Sequence, residues 1–320
     1  MWLIDTDYSL DDQFALAYLI TRINIVAITV VGTNAEQKPS VIKRKIEDDL
    51  LNKFSRSDIK VFAGADRPYI NYQTELKDDE IFDPYNYMKT DYSKYLEAES
   101  KEQANNSNIA LRISNIAAVK ITEFVRVHEK KLNILALGPL TNVSLAVLID
   151  STIKDKFNSL YIAGGSYNNL GNSGNAAEYN FRADPVAAKN VIFYYKNIAM
   201  IPLEVEDQIL KGIDFKTLTS TKQDFAPALE LFKLVSQEDE ETRSRHSFLG
   251  FVAAVIAIDH SLVSAKKTRP VDVDIIGRFT RGALAIEKYD YLRSGKFTDV
   301  NIFEEVNVDA FKQTLESLLN

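Results

Sequence analysis

Short β-branched runs alternating with helix-period stretches constrain this chain more than any other feature. WLI (2–4), INIVAITVVGT (23–33), IKVFAG (59–64), KLNILALG (131–138), SLYIAGG (159–165) and IAMIPLEV (198–205) have the length and residue types of strands. DDQFALAYLITR (11–22) and KPSVIKRKIEDDLLNKF (38–54) carry helical spacing between the first three. Parallel strands need a long crossover between them, which a helix supplies. The alternation therefore predicts an α/β fold: an open, mainly parallel, Rossmann-like sheet with helices on both faces. The 320 residues show no internal repeat or low-complexity tract, so residues 1–320 are expected to form one domain. Two polar stretches break the rhythm: 66–107, tyrosine-rich and read as a surface excursion, and 218–246, whose end SQEDEETRSRH reads as a solvated helix face or loop. VDVDIIGRFTRGALAIE (271–287) has a hairpin pattern with Gly277 near its turn, and VDAFKQTLESLLN (308–320) reads as a closing helix.

Composition narrows the chemistry by exclusion. A formal charge of −7 argues against nucleic acid or an anionic membrane as partner, because both select a basic face. The absence of cysteine excludes disulfides, thiolate catalysis and zinc–thiolate or iron–sulfur sites. His128, His246 and His260 are the only imidazoles, so a bound metal is expected to be a hard cation held by oxygen. MWLI meets acid after four residues, which is no secretory leader, and no apolar run reaches the roughly 20 residues of a membrane span. The expected location is cytoplasmic.

The chemistry concentrates in DTDYSLDD (5–12). Asp5, Asp7, Asp11 and Asp12 fall at the end of the first strand and the start of the first helix, where open α/β sheets bind ligands. Aspartates at a helix start also cap free N–H groups and complement the helix dipole. Four acids in eight residues exceed that need, and a hard cation takes six to eight such oxygens. An Asp-x-Asp pair after an N-terminal strand also opens haloacid-dehalogenase-type phosphatases, although Asp11-Asp12 has no role there. The loop by itself leaves both chemistries open.

Later segments are more specific. DTDYSLDDQFAL resembles the D-x-D-P-G-x-D-D-A-x-A-L opening of the inosine–uridine-preferring nucleoside hydrolase family. VVGTN (30–34), VFAGADRPY (61–69), LALGPLTNVSLAV (135–147) and AGGSYNNLGNSGNAAEYNFRADPVAA (163–188) resemble further segments of it, in order. The resemblance covers nearly the whole chain. It implies the nucleoside hydrolase fold and cleavage of the N-glycosidic bond of purine or pyrimidine ribonucleosides by a Ca²⁺-bound water. By motif position it makes Asp7 a metal ligand and catalytic base, Asp12 a second ligand and the Leu137 carbonyl a third. Asp11, Asn34, Asn172, Glu178 and Asn180 would hold ribose hydroxyls, with Asp5 behind them. A homodimer or homotetramer is the expected assembly. An acid-rich pocket suits this reaction, because glycoside cleavage develops oxocarbenium charge that carboxylates stabilise.

The sequence departs from the family at two places. Tyr8-Ser9 replaces Pro-Gly in the first loop, and a His-Asp pair near the family's C-terminal end aligns with Leu249-Gly250. Glycine has no side chain to ligate, so the resemblance implies a weakened or lost calcium site. The alternative expectation is a relative that binds ribosides or other polyols without turnover.

Overall fold

The computed structural model describes residues 1–33, 38–69, 116–168, 171–222, 225–237, 247–287, 289 and 298–320. The first half runs β1 (Trp2–Thr6), α1 (Leu10–Ile20), β2 (Ile25–Val30), α2 (Pro39–Lys45), β3 (Lys60–Ala63), α3 (Ala117–Val127), β4 (Asn133–Ala136) and α4 (Thr141–Ile149). It continues with β5 (Ser159–Ala163), α5 (Tyr179–Ala183), α6 (Pro185–Tyr194), β6 (Ile198–Ile201), α7 (Leu203–Gly212) and α8 (Ala226–Val235). The chain ends with α9 (Leu249–Ile258), β7 (Val263–Val273), β8 (Leu284–Ile286), β9 (Asp299–Val306) and α10 (Val308–Leu319).

The strands form one sheet in the order β3-β2-β1-β4-β5-β6-β9-β7-β8. From β3 through β9 every neighbouring pair is parallel, and only β7 and β8 run against their neighbours. The expected α/β architecture is therefore present. Because successive side chains of a strand point to opposite faces, β1 feeds two cores. Leu3, with Ile134 and Ala136 of β4, packs under α3, α4 and α6. Ile4, with Leu135 of β4, packs under α1, α2, α7, α9 and α10. The chain leaves β1 toward β2 and β3, then returns to place β4 on its other side. That reversal opens a crevice at the carboxyl ends of β1 and β4, the usual ligand position in such sheets.

Local boundaries shift for identifiable reasons. The expected strand 198–205 stops at Ile201, because Pro202 cannot donate to the ladder and instead stands at the start of α7. The helix expected over 38–54 is α-helical through Lys45 and then widens to a π-helical turn over Ile46–Leu51. The hairpin turn lies over 274–283, where Gly282, not Gly277, takes positive φ (86°). The polar stretch 218–246 contains α8, whose Leu229, Leu231, Phe232 and Val235 are buried. Its charged end, 238–246, and most of the surface excursion, 70–107, lie outside the described residues.

Helix α9 is apolar on every side, a pattern that requires burial all round. It packs against α1 and β5, with Phe251 set between Tyr18 (ring centroids 5.8 Å) and Phe232 (5.3 Å). Truncating that ring leaves a cavity the rigid surroundings cannot close. Phe251→Ala is expected to destabilise the protein by about 3–5 kcal/mol, read from urea unfolding. A loss below about 1 kcal/mol would show that α9 is not held by this packing.

Candidate functional site

Strand β1 carries Asp5 and Thr6 to its carboxyl end, Asp7 follows, and α1 places Asp11 and Asp12 in its first turn. All four aspartates are buried, none more than 4% exposed. No ordinary cap explains this, since the residue at the start of α1, Ser9, makes no side-chain capping bond. The loop instead bonds its own acids. The Ser9 hydroxyl donates to Asp11 Oδ1 (2.7 Å) and its N–H to Asp7 Oδ1 (3.1 Å). The Thr6 hydroxyl donates to Asp12 Oδ2 (2.5 Å) and accepts from the Tyr8 N–H (2.8 Å). Tyr8 has φ of 60°, which a proline ring locked near −65° cannot adopt. The loop thus follows a different path from a Pro-Gly turn.

Asp5 sits behind this group. Its Oδ1 accepts from the Thr29 hydroxyl (2.6 Å) and Asn142 Nδ2 (2.9 Å). Asn142 also donates to the Val30 carbonyl (3.0 Å) and accepts from the Ala65 N–H (2.9 Å). One amide at the start of α4 therefore ties together the segments leaving β1, β2 and β3. Asp5 Oδ2 and Asp12 Oδ1 are buried with no hydrogen-bond partner.

Burial dominates the electrostatics. It raises Asp5 to about 7 and Asp7 to about 6, against an ordinary 3.8. Asp12 is pushed well above its ordinary value by burial and then by the charges of Asp7 and Asp11, and burial raises Asp11 as well. Such a group of acids calls for protons or for a cation.

The opposite wall comes from β4, β5 and α5. Gly138 follows β4 so closely on Asp7 that a Cβ there would lie 2.8 Å from the Asp7 backbone nitrogen. Asn180 Nδ2 donates to the carbonyls of Leu137 (2.6 Å) and Ala163 (3.0 Å), clamping the ends of β4 and β5. Glu178 caps α5: it accepts from the N–H groups of Asn180 (2.9 Å) and Phe181 (3.2 Å), and also from Gly165 (3.1 Å). Asn172 Oδ1 accepts from the Tyr179 N–H (2.9 Å). The structure thus gathers Asp7, Asp11, Asp12, Leu137, Glu178 and Asn180 at one crevice, with Asn172 attached through Tyr179. Asn34 lies outside the described residues, as does His246. Leu249 and Gly250 open α9, and the Gly250 N–H donates to Asp11 Oδ2 (2.8 Å). Among the described residues, no three carboxylate or imidazole side chains form a ready-made metal cage.

Sequence reasoning missed the groups that hold the acids in place, Thr6, Ser9, Thr29 and Asn142, and also Glu206, which holds the start of α9. Thr6 and Ser9 lie inside the acidic loop and Asn142 inside GPLTN, so a motif marked them without showing their contacts. Glu206 carried no local signal, since its partners Ser247 and Phe248 lie 41 and 42 residues away.

Burial raises Glu178 from 4.5 to about 7, with the Asp7 charge a minor contributor. The folded chain therefore favours the neutral acid. That contribution is complete below pH 4.5 and is lost as pH rises through 7, a swing of about 3 kcal/mol. In chelator, the wild-type protein is expected to lose stability relative to Glu178→Gln between pH 5 and 8, measured by urea unfolding. A difference between the two that does not vary with pH would contradict this assignment.

The fold has known counterparts. A plant nucleoside hydrolase superposes with a TM-score of 0.73 at 22% identity, covering 99% of this chain and 98% of that one. The purine-preferring ribonucleoside hydrolase of Gardnerella vaginalis does so at 0.67 and 20%, covering 99% and 97%. These likenesses concern the fold. Uridine nucleosidase 1 of Arabidopsis thaliana is 28% identical over 210 residues, 65% of this chain but only 57% of that protein. The inosine-uridine preferring nucleoside hydrolase of Crithidia fasciculata is 25% identical over 295 residues, 88% of this chain and 85% of that protein. The profile of the inosine-uridine preferring nucleoside hydrolases matches residues 2–313. The chain belongs to that family.

Proposed function

We propose that this protein hydrolyses the N-glycosidic bond of ribonucleosides, releasing ribose and the free base. The observation that carries the reading is the convergence of Asp7, Asp11 and Asp12 with the Leu137 carbonyl, Glu178 and Asn180 at the β1–β4 crevice. Relatives named for uridine and for inosine-uridine hydrolysis support ribonucleosides as the substrate class.

Asp7, raised to about 6, is basic enough to take a proton from water near neutral pH. The water oxygen bonds to the anomeric carbon as the bond from that carbon to the base nitrogen breaks. The departing base takes a proton from solvent, Asp7 returns its proton to solvent, and the sugar leaves as ribose. Buried carboxylates oppose the positive charge that develops on the sugar ring. Asp11, Asn172, Glu178 and Asn180, with Asn34, offer acceptors and donors suited to vicinal hydroxyls.

The family implies calcium, and the donor chemistry fits a hard cation. The donors are all oxygen, and Asp12 Oδ1 is buried with nothing to balance it. Asp7, Asp12 and the Leu137 carbonyl would hold the ion, with solvent oxygens completing its shell. When bound, such an ion supplies Lewis-acid activation of water. The reading carries with it a homodimer or homotetramer in the cytoplasm. Gly250, standing where the family has an acid, favours one second reading: a protein that binds ribosides or other polyols without turnover.

Release of base and reducing sugar from uridine, inosine, cytidine, adenosine and guanosine, with calcium and with chelator, decides between them. The wild-type protein is expected to turn over at least one nucleoside, and Asp7→Asn to lower kcat by about 10²–10⁴-fold while still binding it. Riboside binding with no turnover would replace the hydrolase reading with the second one. Hydrolysis of phosphate esters with Mg²⁺ would overturn both.

A further inference from the structure

A separate groove lies at the amino ends of β5 and β6, on the α9 side of the sheet and at the opposite edge from the crevice. Its volume is about 570 Å³, within the range of small-molecule sites. Tyr161 of β5 pairs in register with Ala199 of β6, and Ala199 with Asn301 of β9, so the three side chains share one face of the sheet. Ala199 is the small member of that row, and its missing bulk leaves space between its neighbours. Phe303 of β9 and His260, in the turn that follows α9, complete the inner wall.

Strand β7 departs from regular alternation at this place. Its register against β9 shifts between Val263 and Ala265, and again between Ala265 and Lys266. In a regular strand every second side chain faces one side, yet all four residues from Val263 to Lys266 border the groove. Bulges re-aim side chains in this way and are common beside binding sites. Lys266 thereby reaches the rim, whereas its neighbour Lys267 pairs with Glu304 (3.4 Å). Among the described residues no carboxylate lines the groove, in a chain with 45 Asp and Glu and a net charge of −7. The local field therefore favours an anion.

The other walls fit a flat ring. Tyr161 and Phe303 are buried, and the His260 ring lies near both, with centroids 5.3 and 6.0 Å away. Aromatic faces of this kind stack planar heterocycles. Amides supply contacts to a ring edge. Asn301 Oδ1 accepts from the Thr268 hydroxyl (2.7 Å), which leaves its N–H groups to donate. Asn158 Nδ2 donates to Asn133 Oδ1 (2.8 Å), which leaves its own carbonyl oxygen to accept. We propose that the groove is a second ligand site, separate from the crevice, for a nucleoside monophosphate. The base lies against Tyr161, His260 and Phe303, its edge meets the asparagine amides, and the phosphate meets Lys266. None of these residues belongs to the crevice, so the proposal stands apart from the hydrolase reading.

The test is calorimetric titration of the full-length protein, in chelator, with the 5′-monophosphates of uridine, cytidine, adenosine, guanosine and inosine, and with inorganic phosphate as a separate arm. At least one monophosphate is expected to bind. Lys266→Ala is expected to weaken it about fivefold or more, and Lys267→Ala to stay within about twofold of wild type. Ala199→Phe fills the space beside Tyr161 and is expected to weaken binding about tenfold or more. Lys266 lies exposed at the rim, so its variant answers the question even if Ala199→Phe does not fold. No binding of any monophosphate up to about 5 mM would overturn the proposal, as would affinity unchanged in Lys266→Ala. Displacement of the monophosphate by excess nucleoside would place it in the crevice and overturn the proposal too, and inorganic phosphate binding equally well would remove the case for a nucleotide. Lys266-dependent binding in a protein that turns over no nucleoside would overturn the hydrolase reading and leave this site standing. Turnover with no monophosphate binding would do the reverse.

Discussion

Asp5, Asp7, Asp11 and Asp12 are withdrawn from water together at the carboxyl end of β1, and much of the surrounding structure serves to hold them there. Burial raises Asp5 from 3.8 to about 7 even with the hydrogen bonds from Thr29 and Asn142 opposing it, so ionising it in place costs about 4 kcal/mol net. A domain whose net stability is about 5–15 kcal/mol cannot leave several such groups unsupported. Support comes from Thr29 and Asn142 at Asp5, Thr6 at Asp12, and Ser9 and the Gly250 N–H at Asp11. These contacts leave two carboxylate oxygens unsatisfied, which is the pattern of a site prepared for something positive.

The topology explains why these groups meet. Because β1 lies at the reversal of strand order, segments leaving β2, β3, β4 and β5 all surround its carboxyl end. Asn142 ties the first three to Asp5, and Asn180 bridges the ends of β4 and β5. Several residues proposed to face substrate are also fasteners of the fold. Glu178 caps α5 while bonding the Gly165 N–H, and Asn172 anchors the Tyr179 N–H. Substitution at such positions changes stability and activity together, so binding and turnover need to be measured separately.

Helix α9 reaches the acids through its packing. Its sequence, LGFVAAVIAI, forces burial, and burial against α1 brings its first turn onto the acids. Position 250 has no Cβ, and its contact with Asp11 is made by the backbone N–H. The Tyr8 turn departs from a Pro-Gly turn, since its positive φ is closed to proline.

Much of this was legible in the sequence. Strand-length runs separated by helical periods require parallel pairing, and the parallel order of β1 to β6 follows from the crossovers. DTDYSLDD, GPLTN and AEYNFRADP located the crevice, because residues at strand ends and helix starts share one edge of such a sheet. The terminal pairing was not legible: β9 inserts between β6 and β7, and long-range pairing leaves no local period. Nor was the contact of Gly250 with Asp11, which exists only because α9 packs back onto α1. The covalent chain sets which residues stand at the ends of strands and starts of helices. Only the packed structure decides which of them touch, because the contacts among Asp11, Gly250, Glu206 and Ser247 span tens to hundreds of residues and are made by shape.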